Sequence, residues 1–169
     1  MLYLESDFYF LSSMLDKFLE YISVEKRYSP NTLISYKKDL EDFQVFLMST
    51  EGVEDLAKAD KKIVRNFIVH LSENKISKRS INRKLSTLRS FYLFLLKIGE
   101  VKVSPLESIS SLKFYAEKQI PFSNDEMSDL RENVENQEMS LLEKLIIETL
   151  YQTGMRRAEL CNLLLENVD

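Results

Sequence analysis

Ser80-Ile81-Asn82-Arg83-Lys84-Leu85-Ser86-Thr87-Leu88-Arg89-Ser90-Phe91-Tyr92 is the stretch that decides the fold of this chain. Ile81, Leu85, Leu88, Tyr92 and then Leu95 recur every three or four residues, the period of an amphipathic α-helix. That period turns Asn82, Arg83, Ser86 and Ser90 outward. Ser80 suits the cap of such a helix and Gly99 its close. Within residues 75–102 the bases are Lys75, Lys78, Arg79, Arg83, Lys84, Arg89, Lys97 and Lys102, and Glu100 is the one acid. A helix of this kind buries one side and shows a polyanion the other.

Three more helices precede it. Leu11, Leu15, Phe18 and Ile22, flanked by Met14 and Leu19, predict a first helix over roughly residues 7–26. Ser29-Pro30 starts a second, with Leu33, Tyr36, Leu40, Phe43 and Leu47 on one face and Gly52 ending the region. Asp60 caps a third, in which Ile63, Phe67 and Leu71 face inward and Val64 and Ile68 widen the stripe. No strand-like alternation competes before residue 100. Short connections make these four a bundle of about 95 residues.

From Glu100 the helical period is lost. Ser104, Pro105, Ser108, Ser110, Ser111 and Pro121 collect in a stretch that reads as an interdomain linker over 101–121. Ser123 with Glu126 forms a capping-box pattern that opens a helix carrying Met127, Leu130 and Val134 inward. Leu141, Leu142, Leu145, Ile146 and Leu150 mark another, ending at Thr153-Gly154. A last segment from Arg156 to Leu165 is expected to bury Leu160, Leu163 and Leu164, with Cys161 packed beside them as a small apolar group.

Composition limits the function. The chain has 169 residues, 44% of them apolar and 30% charged, with three Gly and three Pro, which describes a folded protein. No apolar run approaches the roughly 20 residues that span a bilayer, so no membrane role is expected. Met1-Leu2-Tyr3-Leu4-Glu5-Ser6-Asp7 lacks the basic start of a signal peptide, and a cytoplasmic location follows. One cysteine and one histidine, His70, offer neither a disulfide nor a soft-metal site, so no metal and no small-molecule cofactor are expected. His70 itself reads as a partly buried structural residue of the third helix. Net charge is −4, but residues 1–118 carry 19 Lys and Arg against 16 Asp and Glu, whereas 119–169 carry 4 against 11. The local field of the first part, not the sum, governs its partners.

Thr153-Gly154-Met155-Arg156-Arg157-Ala158-Glu159-Leu160 places an arginine at a helix junction, where a guanidinium can be aimed at an anion. This octet resembles the first catalytic-arginine motif of the tyrosine site-specific recombinases, the phage-integrase family, most nearly its Xer type. Ser29-Pro30-Asn31-Thr32-Leu33 through Tyr36 and Leu40, together with residues 80–92, resembles the core-binding domain of that family. Ser104-Pro105-Leu106 and Ile120-Pro121-Phe122 occupy the places of its connecting segment. Arg157 and Ala158 depart from the aliphatic residue and serine usual there.

The resemblance implies an all-α chain as it stands: a four-helix, SAM-like core-binding domain at 1–100, a linker, and at 122–169 the first helices of a truncated mixed α/β catalytic domain. It implies an enzyme that, when complete, cleaves and rejoins DNA through a 3′-phosphotyrosyl intermediate as a homo- or heterotetramer on double-stranded DNA. Chromosome-dimer resolution and mobile-element integration are both compatible. Arg156 is then the catalytic group that stabilises transition-state charge on the phosphate, with Glu159 in support. The second arginine, histidines, lysine and nucleophilic tyrosine of the family have no counterpart after Arg156, so the 169 residues are expected to bind DNA without cleaving it. Expected DNA contacts are Asn31, Thr32, Ser35 and Lys37 on the second helix and Lys78, Arg79, Asn82, Arg83 and Ser86 on the fourth, with Asn82 and Arg83 best placed to read bases. Arg89 is able instead to fold back and pair within the domain. Two other readings stay open: a non-enzymatic helical DNA-binding module and a helical protein-interaction domain.

Overall fold

The computed structural model describes residues 4–53, 55–115, 120–136, 139–164 and 166, with side chains from Met14 onward and excluding those of 134–136. All regular structure among them is helical. The chain divides into two compact units, residues 1–116 and 117–169.

In the first unit α1 spans Leu4–Val24, α2 Pro30–Phe46, α3 Lys61–Glu73 and α4 Lys78–Ile98. Ser29 caps α2 through its Oγ, which accepts the Thr32 N–H, and Pro30 follows in the first turn. A π-helical turn, Leu47–Glu51, continues α2 until Gly52 at φ 63° breaks it, a left-handed backbone that favours glycine. A 3-10 turn at Leu56–Lys58 leads to Asp60, whose carboxylate accepts the Ile63 N–H and caps α3. The cap of α4 is Ser77, not Ser80. Lys75 turns the chain at φ 59°, Ser77 is extended, and its Oγ accepts the Ser80 N–H, so Ser80 already lies inside the helix. Gly99, at φ 81°, closes α4 as expected.

Packing of α2 against α1 and α4, and of α3 against α4, encloses one core. Phe18 of α1 meets Phe91 edge-on with ring centres 5.3 Å apart, and Phe67 of α3 meets Phe43 at 4.9 Å and Phe46 at 5.1 Å. Each such fully buried ring contributes on the order of 1.5–3 kcal/mol. Tyr92 is buried as well, its hydroxyl donating to the Leu56 carbonyl. The inward line of α3 is Val64, Phe67 and Leu71. That line leaves His70 exposed, its ring resting against Phe46 with centres 5.1 Å apart, rather than partly buried. After α4 the chain stays on the bundle: Leu106 is buried, and Ile109 and Leu112 pack against the core. Residues 101–115 thus contain no helix but belong to the first unit.

The second unit contains α5 at Asn124–Asn136, α6 at Leu141–Thr153 and α7 at Arg157–Cys161. Ser123 and Glu126 make the expected capping box, and Ser140 with Glu143 makes a second one at α6. Arg131 of α5 pairs with Glu148 of α6 and lies 5.1 Å from the Tyr151 ring centre. No described residue of this unit is buried. Leu130, Leu163 and Leu164, expected inside, are exposed, Met127 and Leu160 are half-buried, and Cys161 is exposed, because three short helices supply too little surface to enclose them. Val134 and Leu165 lie outside the described side chains.

Candidate nucleic-acid interface

Between α2 and α4 lies a charged cluster inside an otherwise apolar contact. Asp39 of α2 is fully buried and receives three donors from α4: Arg83 Nη1 and Thr87 Oγ1 (2.9 Å) on Oδ2, and Lys84 Nζ (3.1 Å) on Oδ1. Lys84 also reaches Asp42, so the ammonium is held between two carboxylates on successive turns of α2. Two acids face two bases and no buried side-chain polar atom among the described residues lacks a partner, the condition under which a buried charge is tolerated. Asp39 and the Lys84 side chain are sealed from solvent, at 0% and 9% exposure. The Arg83 side chain, at 49%, carries the cluster to the surface.

The period of α4 lines Arg79, Arg83 and Ser86 along one outer face, with Lys78 at its start. Lys78, Arg79 and Ser86 are exposed, and Ser86 Oγ donates back to the Asn82 carbonyl at 3.0 Å. Asn82 is otherwise engaged. Its Nδ2 donates to the Leu112 carbonyl at 2.9 Å and its Oδ1 accepts the Leu112 N–H at 2.8 Å, so both ends of the amide bind backbone. Arg89 folds back likewise, donating from Nη2 to the Ile109 carbonyl at 2.9 Å. On α2, Asn31 and Lys37 are exposed, the latter 3.9 Å from Glu41, whereas Thr32 and Ser35 are half-buried and Thr32 Oγ1 lies 2.9 Å from Ser29 Oγ. Of the expected contacts, Lys78, Arg79, Arg83 and Ser86 thus make an exposed edge on α4, with Arg83 anchored at one end to Asp39, whereas the amide of Asn82 is wholly engaged by the fold.

Asp39, Lys84 and Thr87 are the members that sequence reading missed. A signal was present: Asp39 falls on the inward line of α2 between Tyr36 and Phe43, and Lys84 on that of α4 between Ile81 and Leu88. Opposite charges on the apolar stripes of two helices mark a buried pair.

In the second unit Gly154, at φ 63°, ends α6, and Arg156 precedes the first residue of α7. Glu159 reaches back to it twice, accepting the Arg156 backbone N–H at 2.8 Å on Oε2 and Arg156 Nη1 at 2.8 Å on Oε1. That backbone donor first, and the guanidinium second, hold the Glu159 carboxyl below the ordinary glutamate range. Glu159 thus stays charged at neutral pH and fixes one edge of a guanidinium whose side chain is 84% exposed.

The phage integrase, N-terminal SAM-like domain model matches residues 15–99, which include α2, α3, α4 and the Asp39 cluster. The chain belongs to that family. Among curated relatives it is similar to the protein named tyrosine recombinase XerC in Oceanobacillus iheyensis, 38% identical over 162 residues that cover 94% of this chain and 52% of the relative. The XerC proteins of Anoxybacillus flavithermus and Bacillus subtilis are 39% and 33% identical, over 92% and 90% of this chain and 52% and 50% of their own lengths. The chain spans about half the length of the curated relatives it matches. No solved structure matches it significantly. Among the described residues of this integrase-family chain, no helix is long and apolar enough to cross a membrane.

Proposed function

We propose that this chain holds duplex DNA for a tyrosine site-specific recombinase, one that cuts and rejoins strands through a 3′-phosphotyrosyl link. The exposed basic edge of α4 carries the reading: Arg79, Arg83 and Ser86 on one face with Lys78 at its start, no acid among the residues of α4, in a domain whose relatives are named as tyrosine recombinases. Such an edge binds phosphates and positions the protein, and an outward arginine adds base reading in the major groove. Residues 1–100 form the gripping domain and 122–169 open the catalytic one. Arg156, braced by Glu159, is the group that donates two parallel hydrogen bonds to the phosphate under attack. All eight tyrosines precede Arg156, so the 169 residues bind DNA without cleaving it; the complete enzyme works as a tetramer of protomers, on chromosome dimers or on a mobile element.

Fluorescence anisotropy with labelled duplex across a salt series tests the reading. The logarithm of affinity should fall linearly with that of salt, by about 0.9 for each phosphate contacted. A salt-insensitive affinity, or none, refutes it. A covalent protein–DNA adduct would refute the claim that these residues do not cleave.

A further inference from the structure

We infer that Asp39 is a positioning residue for DNA binding, acting through Arg83; this rests on the DNA-binding reading above. Asp39 has no exposed surface and cannot touch a nucleic acid. Its bonds to Lys84 and Thr87 are internal, but its third donor, Arg83 Nη1, belongs to a side chain that is half in solvent and on the exposed basic edge of α4. A guanidinium has five N–H donors in a rigid plane. With Nη1 turned to the buried carboxylate, the remaining edge is presented outward in one orientation. An arginine immobilised in the free protein does not have to be immobilised on binding, so its contact with a phosphate or base is made at lower entropic cost.

The rest of the cluster supports this division of labour. Lys84 is shared by Asp39 and Asp42, and Thr87 bonds the same oxygen as Arg83, so Asp39 is held by two groups besides Arg83. Lys84 is too deeply buried to reach DNA and serves to balance charge. Arg83 is the cluster's one cation with surface to offer. The contribution of α2 to the interface is thus partly indirect, a carboxylate that aims a base on the neighbouring helix.

A purely electrostatic view predicts the opposite sign. Removing a negative charge close to a DNA-binding edge should tighten binding; removing an aiming group should loosen it. Anisotropy with the 169-residue chain and duplex DNA, on wild type, Asp39→Asn, Arg83→Ala and the double variant, decides between them. Asp39→Asn should weaken binding by about tenfold, and Arg83→Ala should weaken it and lower the salt slope by about 1. In the Arg83→Ala background the Asp39 substitution should have no further effect. Tighter or unchanged binding by Asp39→Asn, or a loss that persists undiminished without Arg83, overturns the inference. Absence of binding by the wild type instead refutes the DNA-binding reading, and this inference with it. Should Asp39→Asn fail to fold, NMR of the Arg83 side-chain N–H groups in the wild type decides: slowed rotation and exchange relative to Arg79 is expected, and a freely rotating guanidinium overturns the proposal.

Discussion

Replacing Asp39 by alanine should cost the first unit about 3 kcal/mol, the low end of the 3–5 kcal/mol range for removing one partner of a buried ion pair. The estimate follows from what each donor loses. Lys84, with 9% of its side chain exposed, keeps Asp42 but loses its other carboxylate. Thr87 falls back on the Arg83 carbonyl at 3.4 Å, a weaker bond. Arg83 is half-exposed and is rehydrated, so its share is no more than about 1 kcal/mol. Asp42→Ala supplies the contrast: the Asp42 side chain is 44% exposed and serves only Lys84 among the described contacts, so its loss should cost about 1 kcal/mol or less. Urea denaturation followed by far-UV circular dichroism measures both. The Asp39→Ala midpoint should fall at unchanged slope, and its melting temperature should drop by roughly 12 °C or more, taking about 4–8 °C per kcal/mol for a unit of this size. An Asp39→Ala cost below about 1 kcal/mol, or an Asp42→Ala cost exceeding it, would refute the assignment of Asp39 as the centre of the cluster.

Tyr92→Phe should destabilise the first unit by about 1–3 kcal/mol in the same assay, because the buried Leu56 carbonyl loses its donor. Burial, then the nearby Asp55 charge, pushes the Tyr92 hydroxyl far above its ordinary value of 10.0, so stability present below that value should be lost as pH rises past it. Spectrophotometric titration should find this tyrosine silent until the protein unfolds. Asn82→Ala should speed amide hydrogen exchange over residues 109–113 by tenfold or more while α2 and α3 stay protected, since two bonds to Leu112 vanish; uniform exchange would contradict this. Glu126 and Glu143 are held below the ordinary glutamate range, Glu126 by the Ser123 backbone N–H and then its hydroxyl, Glu143 by the Ser140 hydroxyl and then its backbone N–H. Lowered values mean that stabilisation is complete above that range and disappears as pH falls below it, so α5 and α6 should fray on acidification. NMR helical shifts at their first turns, compared with Glu126→Gln and Glu143→Gln, would show it.

The apolar period made the four-helix bundle legible, together with Ser29-Pro30, Asp60 and Gly99 as its punctuation. Leu47 is buried as expected with Phe46 buried beside it, and Val64, expected only to widen the stripe, is buried where Ile63 is half-buried, because helices in a bundle roll to fill space and period alone leaves that rotation open by tens of degrees. The expected DNA-facing residues were legible as outward positions but not as free ones. Asn82 and Arg89 lie outside the core stripe, yet their polar ends bind the Leu112 and Ile109 backbone, a long-range pairing that no local pattern encodes. Asp39 was hidden for the opposite reason: a charge on an apolar stripe is read as noise until its partners appear on the facing helix. In the second unit the pattern of Leu141, Leu145 and Ile146 correctly marks a helix, but inwardness requires something to pack against, and the described residues do not provide it.

The two-ended grip of the Asn82 amide on Leu112 imitates one rung of a β-ladder, with a side chain standing in for a strand. A random-mutagenesis survey scored by phenotype would therefore rank Asn82 among the residues that decipher the target site, since losing it releases a whole stretch of chain beside the basic helix. The telltale would be indifference to base sequence: every target would suffer alike, as when a bookbinding fails rather than a letter is misprinted.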